Sequence, residues 1–226
     1  MPDLNTTLHL DMWRDYRKQT SLLRRLRHAV GRAVAPKDLY GLQWGDPEVF
    51  PPLQFVRNRY VRPYVSPDHV ALEIGPGGGR WTRYLLGFRQ LNVIDCHAEL
   101  LQELKRNFRR DNMRFIVNNG CDFPGVPRES IDFVFSFACF VHLDAPLIEA
   151  YLKNIASILK RGGNAVIHYS DKSKIMAQIN PNFSDNTPER MRQMVSQAGF
   201  TILEEDLTTM WHSSIIRFAH SPVVRS

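Results

Sequence analysis

Between residues 70 and 82 the chain reads VALEIGPGGGRWT. Glu73, Gly75, Gly77 and Gly79 fall at every second position, and Asp95 stands 20 residues beyond Gly75. Glycines in such a run let a ligand approach the main chain, whose amide groups then face it. Spacing separates the chemistries that use such a turn. A phosphate-binding loop of the GxxxxGK[ST] kind needs a lysine after its last glycine, and Arg80 and Trp81 follow here instead. A dinucleotide fingerprint, GxGxxG/A, needs a small final residue so that helix and strand pack closely. Counted from Gly75, that place is held by Arg80. There remains a turn passing under a ligand, with a carboxylate at Asp95 able to accept hydrogen bonds from both hydroxyls of a ribose. Glu73 and Asp95 each interrupt or end an apolar run that would otherwise bury an unpaired charge.

These residues must be positioned by strands and helices in alternation. HVALEI, LNVID, MRFIVNN, IDFVFSF and NAVIHYS are apolar, β-rich runs, the fourth nearly continuous as a buried parallel strand requires. Between them lie helical stretches: RWTRYLLGF, AELLQELKRNFRR and APLIEAYLKNIASILK. The last carries Leu147, Ile148, Tyr151, Leu152, Ile155 and Leu159 on one face, and RGG is expected to break it before the fifth strand. Thr187 and Pro188 cap the helix of TPERMRQMVSQAGF, and TILEED and HSSIIRFA close the chain as two strands. The pattern predicts an α/β doubly wound sheet with its ligand at the carboxyl ends of the strands. Residues 69–226 form this domain. Residues 1–68 precede it as a helical, wrapping segment with a helix near 53–63.

Composition sets the outer limits. With 43% apolar and 23% charged residues the 226-residue chain has the make-up of a soluble globular domain. Cys96, Cys121 and Cys139 are widely spaced, which excludes a disulfide framework and zinc-ligand spacing and suits reduced thiols. Neither a membrane-spanning run nor a signal-peptide core is found, so a cytoplasmic protein is expected. The net charge of +6 is concentrated in residues 13–34, where Leu22, Leu23, Leu26 and Val30 recur at helical spacing among arginines. This helix either packs on the domain with a solvated face or meets an acidic substrate, a lipid surface or a partner protein.

With Glu73-x-Gly75-x-Gly77-x-Gly79 and Asp95 in this order, residues 69 to about 219 resemble the class I S-adenosylmethionine-dependent methyltransferases. The resemblance implies a Rossmann-like sheet of seven strands, mostly parallel with the last antiparallel and helices on both faces. It implies S-adenosyl-L-methionine as cofactor and S-adenosyl-L-homocysteine as product. Glu73 would help to hold the methionine amino group, the three glycines would pass under methionine and ribose, and Asp95 would bind the ribose. Cys96 would lie beside adenine. In NGCDF, Asp122 would bind the adenine amino group and Phe123 would flank its ring. The backbone near Ser136 and Phe137 would receive the methionine amine.

Methyl transfer to a hydroxyl requires an aligned nucleophile, excluded water and a proton acceptor, for which histidine has a suitable pKa. His142, in CFVHLD after the fourth strand, and His168, in VIHYSD at the end of the fifth, are the candidate catalytic residues. The bland alternatives are a helix-start residue bonded to backbone for His142 and a satisfied core histidine for His168. Asp171 could orient either ring. Arg80 could reach the cofactor carboxylate or an anionic substrate. No [DN]PP[YF] motif for planar amino groups follows the fourth strand, and no acidic cluster marks a metal site. Residues around Tyr40, Trp44 and Phe50, with a lid over 171–186, would shape access to the site.

Residues 42–86 also look, more loosely, like bacterial methyltransferases of polysaccharide and sugar modification. The expected reaction is O-methylation of a hydroxyl on a sugar, nucleotide-sugar or related small metabolite, phosphorylated or acidic in keeping with the net charge. Nucleic acid is not the expected partner. An RNA- or protein-directed methyltransferase and a noncatalytic cofactor-binding module stand as alternatives.

Overall fold

The computed structural model describes residues 41–222, so the basic helix expected at 13–34 and Tyr40 lie outside the described residues. After a short 3-10 turn, α1 (Pro51–Val56) runs on through a π turn at Arg57–Val61 and a 3-10 turn at Arg62–Tyr64. Then follow β1 (Val70–Ile74), α2 (Thr82–Leu85), β2 (Gln90–Asp95), α3 (Ala98–Asn107), β3 (Met113–Val117) and β4 (Ile131–Ser136). A 3-10 turn at Phe140–His142 leads to α4 (Ala145–Ile158), β5 (Leu159–Ser170), α5 (Ile175–Gln178), α6 (Pro188–Gln197), β6 (Phe200–Asp206) and β7 (Ser213–His220).

The seven strands form one sheet in the order β3-β2-β1-β4-β5-β7-β6. β7 runs antiparallel to both β5 and β6, and the other pairings are parallel. This is the Rossmann-like, doubly wound α/β sheet expected from the sequence. The order reverses between β1 and β4, which opens a crevice at their carboxyl ends.

Alternation along β1 divides the core. Val70, Leu72 and Ile74 join the layer containing α4 and α6, with Tyr151, Leu152, Ile155 and Met191. Ala71 faces the opposite layer, where Leu53, Val56, Tyr60 and Val61 pack with Phe133, Phe135 and Trp81. The segment before β1 is thereby part of one face of the sheet. Both faces are covered, which is why the strands near the center read as continuous apolar runs.

Two local expectations need correcting. The helix after the glycines is only four residues long, because Leu86 to Arg89 turn at once into β2. Arg161, Gly162 and Gly163 lie inside β5, which pairs Leu159 with Ile131 before the register shifts to Phe133 and Asn164. A Cβ on Gly163 would stand 2.9 Å from the Asp132 carbonyl oxygen, so that glycine serves close strand approach at the irregularity. The cap of α6 forms as the sequence indicates: the Arg190 amide donates to Thr187 Oγ1, and Pro188 opens the helix.

Gly79 (φ +99°) closes the glycine turn against α3, and a Cβ there would fall 2.2 Å from Phe108 Cε2 and 2.8 Å from Leu104 Cδ1. Gly79→Ala combines an unfavourable backbone conformation with overpacking and is expected to lower unfolding free energy by about 2–4 kcal/mol. Urea denaturation checks this; an unchanged midpoint would show that α3 yields without cost.

Candidate active site

The glycine turn is held from both sides. The Gly75 amide (φ +67°) donates to the Ile94 carbonyl at 2.9 Å, tying the turn to β2. A Cβ on Gly75 would meet Cys139 Cβ at 2.7 Å, so the approach of β4's exit requires glycine there. Gly77 also has positive φ, and both Gly75 and Gly77 line a cavity of about 410 Å³. Gly79 is not among the lining residues; its missing side chain makes room for Phe108 rather than for a ligand.

Glu73 does not line the cavity either. Its side chain is buried behind the turn and outside the cavity lining, where Thr82 Oγ1 donates to Glu73 Oε2 at 2.6 Å. The carboxyl braces α2 against β1. Burial pushes its pKa up to about 8, partly countered by the bond from Thr82.

Asp95 stands at the cavity wall with Cys96 and His97. The His97 amide and Nδ1 both donate to Asp95 Oδ1 at 2.9 Å, and Cys96 Sγ lies 3.3 Å from the same ring nitrogen. These bonds, Asp95 first, raise the His97 pKa to about 10, so the ring is an imidazolium at neutral pH. Leu100, Gly120 and Tyr151 complete this end of the cavity. Asp122 and Phe123 do not line it. The Asn119 amide donates to Asp122 Oδ1, while the Phe123 ring packs in the core 5.9 Å from Tyr151. The NGCDF loop folds on itself through Asn118 and Asn119, and this turn chemistry draws both side chains away.

Beyond the turn lie Arg80, Trp81 and Phe137. Arg80 is 6% exposed, donates through Nη1 to the Trp44 and Gly45 carbonyls at 3.3 and 3.4 Å, and sits over the Phe137 ring. Among the described residues no carboxylate pairs with it; nearby Asp46 is bound by Arg83. Burial lowers the guanidinium pKa to about 10, so it stays charged. Phe137 lines the cavity and stacks flat on His168, centroid to centroid 4.0 Å.

His168 touches the cavity yet has both nitrogens engaged. The Ala138 amide donates to Nδ1 at 3.0 Å, and Nε2 lies 2.5 Å from Ser213 Oγ. Burial holds its pKa well below the usual value. A proton could be taken only by breaking one of these bonds, so His168 is the satisfied core histidine. Asp171 contacts neither His142 nor His168. Its carboxylate accepts from Ser214 Oγ and Ser173, with Lys174 Nζ at 3.5 Å.

His142 also lines the cavity. Its Nδ1 lies 2.7 Å from the Asn182 carbonyl, which can only accept, so Nδ1 carries the proton and Nε2 the lone pair. Burial lowers its pKa, opposed by that bond. Residues 171–186 do cover this side. Lys172 Nζ binds the Ala177 and Asn180 carbonyls, Lys174 Nζ binds the Met210 and Ser213 carbonyls, and Asn180, Asn182 and Phe183 line the cavity. The sequence reading missed His97, which holds Asp95 at the cavity wall, and His212, in the β6–β7 loop, which lines the cavity against Phe183. An antiparallel β7 starts at the carboxyl edge of β5, so the topology carried a signal for His212.

Comparison with known proteins agrees with this arrangement. Residues 71–163 match the family model described as a methyltransferase domain. No curated protein matches at a significant level. Among solved structures, a chain of the complex between the Haloferax volcanii Trm112 methyltransferase activator and a methyltransferase is similar. It has 17% identity and a TM-score of 0.65, over 82% of this chain and 94% of that one. An S-adenosylmethionine-dependent methyltransferase from Clostridium acetobutylicum has 14% identity and a TM-score of 0.60, over 92% and 99%. Geranyl diphosphate C-methyltransferase from Streptomyces coelicolor has 14% identity and a TM-score of 0.62, over 75% and 78%. At these identities the likeness is one of fold. The matched stretch holds the turn, Asp95 and β4, and the cofactor that the resemblance implies is S-adenosyl-L-methionine. The residues present fit that group. The cavity is within the range for cofactor sites, about 300–1,000 Å³, and is lined both by the Asp95 carboxylate and by Arg80, with which no carboxylate among the described residues pairs.

Glu73 gives a test of its bracing role. Between its usual 4.5 and about 8 the folded protein keeps a proton that the unfolded chain releases, so stability falls as pH rises through that window. Glu73→Gln keeps an acceptor for Thr82 and removes the titration. Its melting temperature, minus that of the wild type, is expected to rise steadily from pH 5 to pH 8. A constant difference would show that Glu73 is ionised throughout.

Proposed function

We propose that this protein transfers a methyl group from S-adenosyl-L-methionine to a hydroxyl of a sugar, nucleotide-sugar or related small metabolite, with His142 as the general base. The observation that carries this reading is the tautomer of His142: a cavity-facing imidazole whose Nδ1–H is fixed on a backbone carbonyl presents a basic Nε2.

When bound, the cofactor supplies an electrophilic methyl on a sulfonium center. Asp95 binds the ribose: the bonds from His97 both fall on Oδ1, which leaves Oδ2 for a ribose hydroxyl. Cys96, Leu100 and Tyr151 form the apolar surroundings of the adenine. Arg80 pairs with the methionine carboxylate, which gives its buried charge the partner the described residues do not supply. The aromatic wall of Trp81, Phe137 and Phe183 excludes water that would compete with the acceptor. His142 takes the acceptor's proton at Nε2, and its lowered pKa keeps it neutral at physiological pH.

An RNA-directed reading fits less well. The segments that supply Asn180 and Met210–His212 to the cavity expose Ile179 and Trp211 beside them, apolar neighbours ill-suited to phosphates. Among the described residues no helix is long and apolar enough to cross a membrane.

Calorimetric titration with S-adenosylmethionine and S-adenosylhomocysteine tests the cofactor half. Asp95→Ala and Arg80→Met are each expected to weaken binding by about 10- to 100-fold, the range for losing a charge-assisted hydrogen bond. Wild-type affinity in Asp95→Ala would remove the ribose assignment. For the base, His142→Ala should lower kcat by about 100-fold or more with cofactor affinity unchanged. The acid limb of kcat/KM should have its midpoint below the usual histidine value, because the base is active when unprotonated and its pKa is lowered. A midpoint above that value would exclude His142.

A further inference from the structure

The hydrogen-bond directions around His168 start from a group that only donates. The Ala138 amide gives its proton to His168 Nδ1, at 3.0 Å. A neutral His168 must then carry its own proton on Nε2, which donates to Ser213 Oγ at 2.5 Å. The fully buried Ser213 hydroxyl has its own proton to place, and among the described residues His212 Nδ1, at 2.8 Å, is the one acceptor it meets, so it donates there. His212 Nδ1 is therefore an acceptor, and the ring carries its proton on Nε2. Because Nδ1 turns inward to the fully buried Ser213, the Nε2 edge turns away, toward the cavity that His212 lines.

His142 is fixed with the opposite polarity, Nδ1–H on the Asn182 carbonyl and the lone pair on Nε2. Both rings meet the Phe183 ring edge-on, with centroids 5.6 and 5.1 Å from it. One cavity wall thus offers an accepting nitrogen and a donating N–H with an aromatic ring between them. A hydroxyl with an oxygen on the adjacent carbon matches this pattern: the hydroxyl faces His142, the neighbouring oxygen accepts from His212, and the carbon skeleton lies on Phe183.

We infer that His212, oriented by Ser213 and His168, is a specificity-determining hydrogen-bond donor that selects acceptors in which the reacting hydroxyl has a vicinal oxygen. This rests on the reading of the site as a hydroxyl methyltransferase. In that reaction His212 neither gains nor loses a proton; it holds the acceptor while His142 takes the hydroxyl proton.

Two measurements test it on the full-length protein. Imidazole-15N spectra of the histidine-labelled protein at pH 7.5 should show His212 and His168 as Nε2–H tautomers and His142 as Nδ1–H. Ser213→Ala should leave His212 with mixed tautomers. An Nδ1–H tautomer for wild-type His212, or no change in Ser213→Ala, would overturn the orientation. The second measurement is S-adenosylhomocysteine release with methyl hexopyranosides and their monodeoxy counterparts. Loss of the vicinal oxygen should cost the wild type at least tenfold in kcat/KM. His212→Phe should shrink that discrimination to under threefold, and His212→Gln, which keeps an N–H, should restore part of it, all with unchanged cofactor affinity. Undiminished discrimination in His212→Phe would overturn the proposal while leaving the methyltransferase reading intact. A wild type that binds cofactor yet methylates none of the hydroxyls would overturn both.

Discussion

A sheet covered on both faces offers little water to the polar groups at its carboxyl edge, so a polar group there is stabilised by a partner within the protein. That constraint organises everything around the cavity. Glu73 is bound by Thr82, Ser136 Oγ donates to the Ile74 carbonyl, and His97 holds Asp95. His168 is clasped between the Ala138 amide and Ser213, and Asp171 between Ser173 and Ser214. The bonds made by Thr82, Ser136, Ala138, Ser213 and Ser214 also join separate elements, so satisfying the buried group aligns the strand ends that form the site.

The turn at the end of β4 shows the cost of this arrangement. Ala138 has φ +64°, a conformation worth about 1–2 kcal/mol for a residue with a side chain. The strain is offset by the bond from its amide to His168 and by the flat stacking of Phe137 on the same imidazole. Cys139 then packs where Gly75 has no side chain. The strained segment is thus wedged between the glycine turn and β5, and it lines the cavity. Rigidity there is useful, because an in-line displacement tolerates little misplacement of donor and acceptor.

Division of labour among the histidines follows from burial and backbone contact rather than from residue type. His97 is held charged by its carboxylate neighbour, while His168 is held neutral by burial and by an amide that forbids a proton on Nδ1. His142 and His212, at the cavity wall, also stay neutral, and each has its inner nitrogen fixed by a neighbour. The lysines of the covering segment reinforce this. Lys174 binds the Met210 and Ser213 carbonyls and so fixes the loop that carries His212.

The fold was legible in the sequence because its signals are local. Apolar runs of strand length alternate with amphipathic helices, and their order alone implies a doubly wound sheet with the glycine turn at its crevice. Asp95, Cys96, Gly75, Gly77, Phe137 and His142 could be placed at the cavity for the same reason: each follows directly on the end of a strand. What sequence could not decide was which side of a turn a residue serves. Gly79 lacks a side chain because Phe108, 29 positions away, needs the space, and Glu73 turns to Thr82 rather than to the ligand. Asp122 and Phe123 are drawn off by the bonds of their own loop, and His168 takes its role from the hydroxyl of Ser213, far along the chain. Periodicity and spacing report on neighbours a few residues apart. Protonation, tautomer and the direction of a side chain are set by contacts across the sheet, and those exist only once the chain has folded.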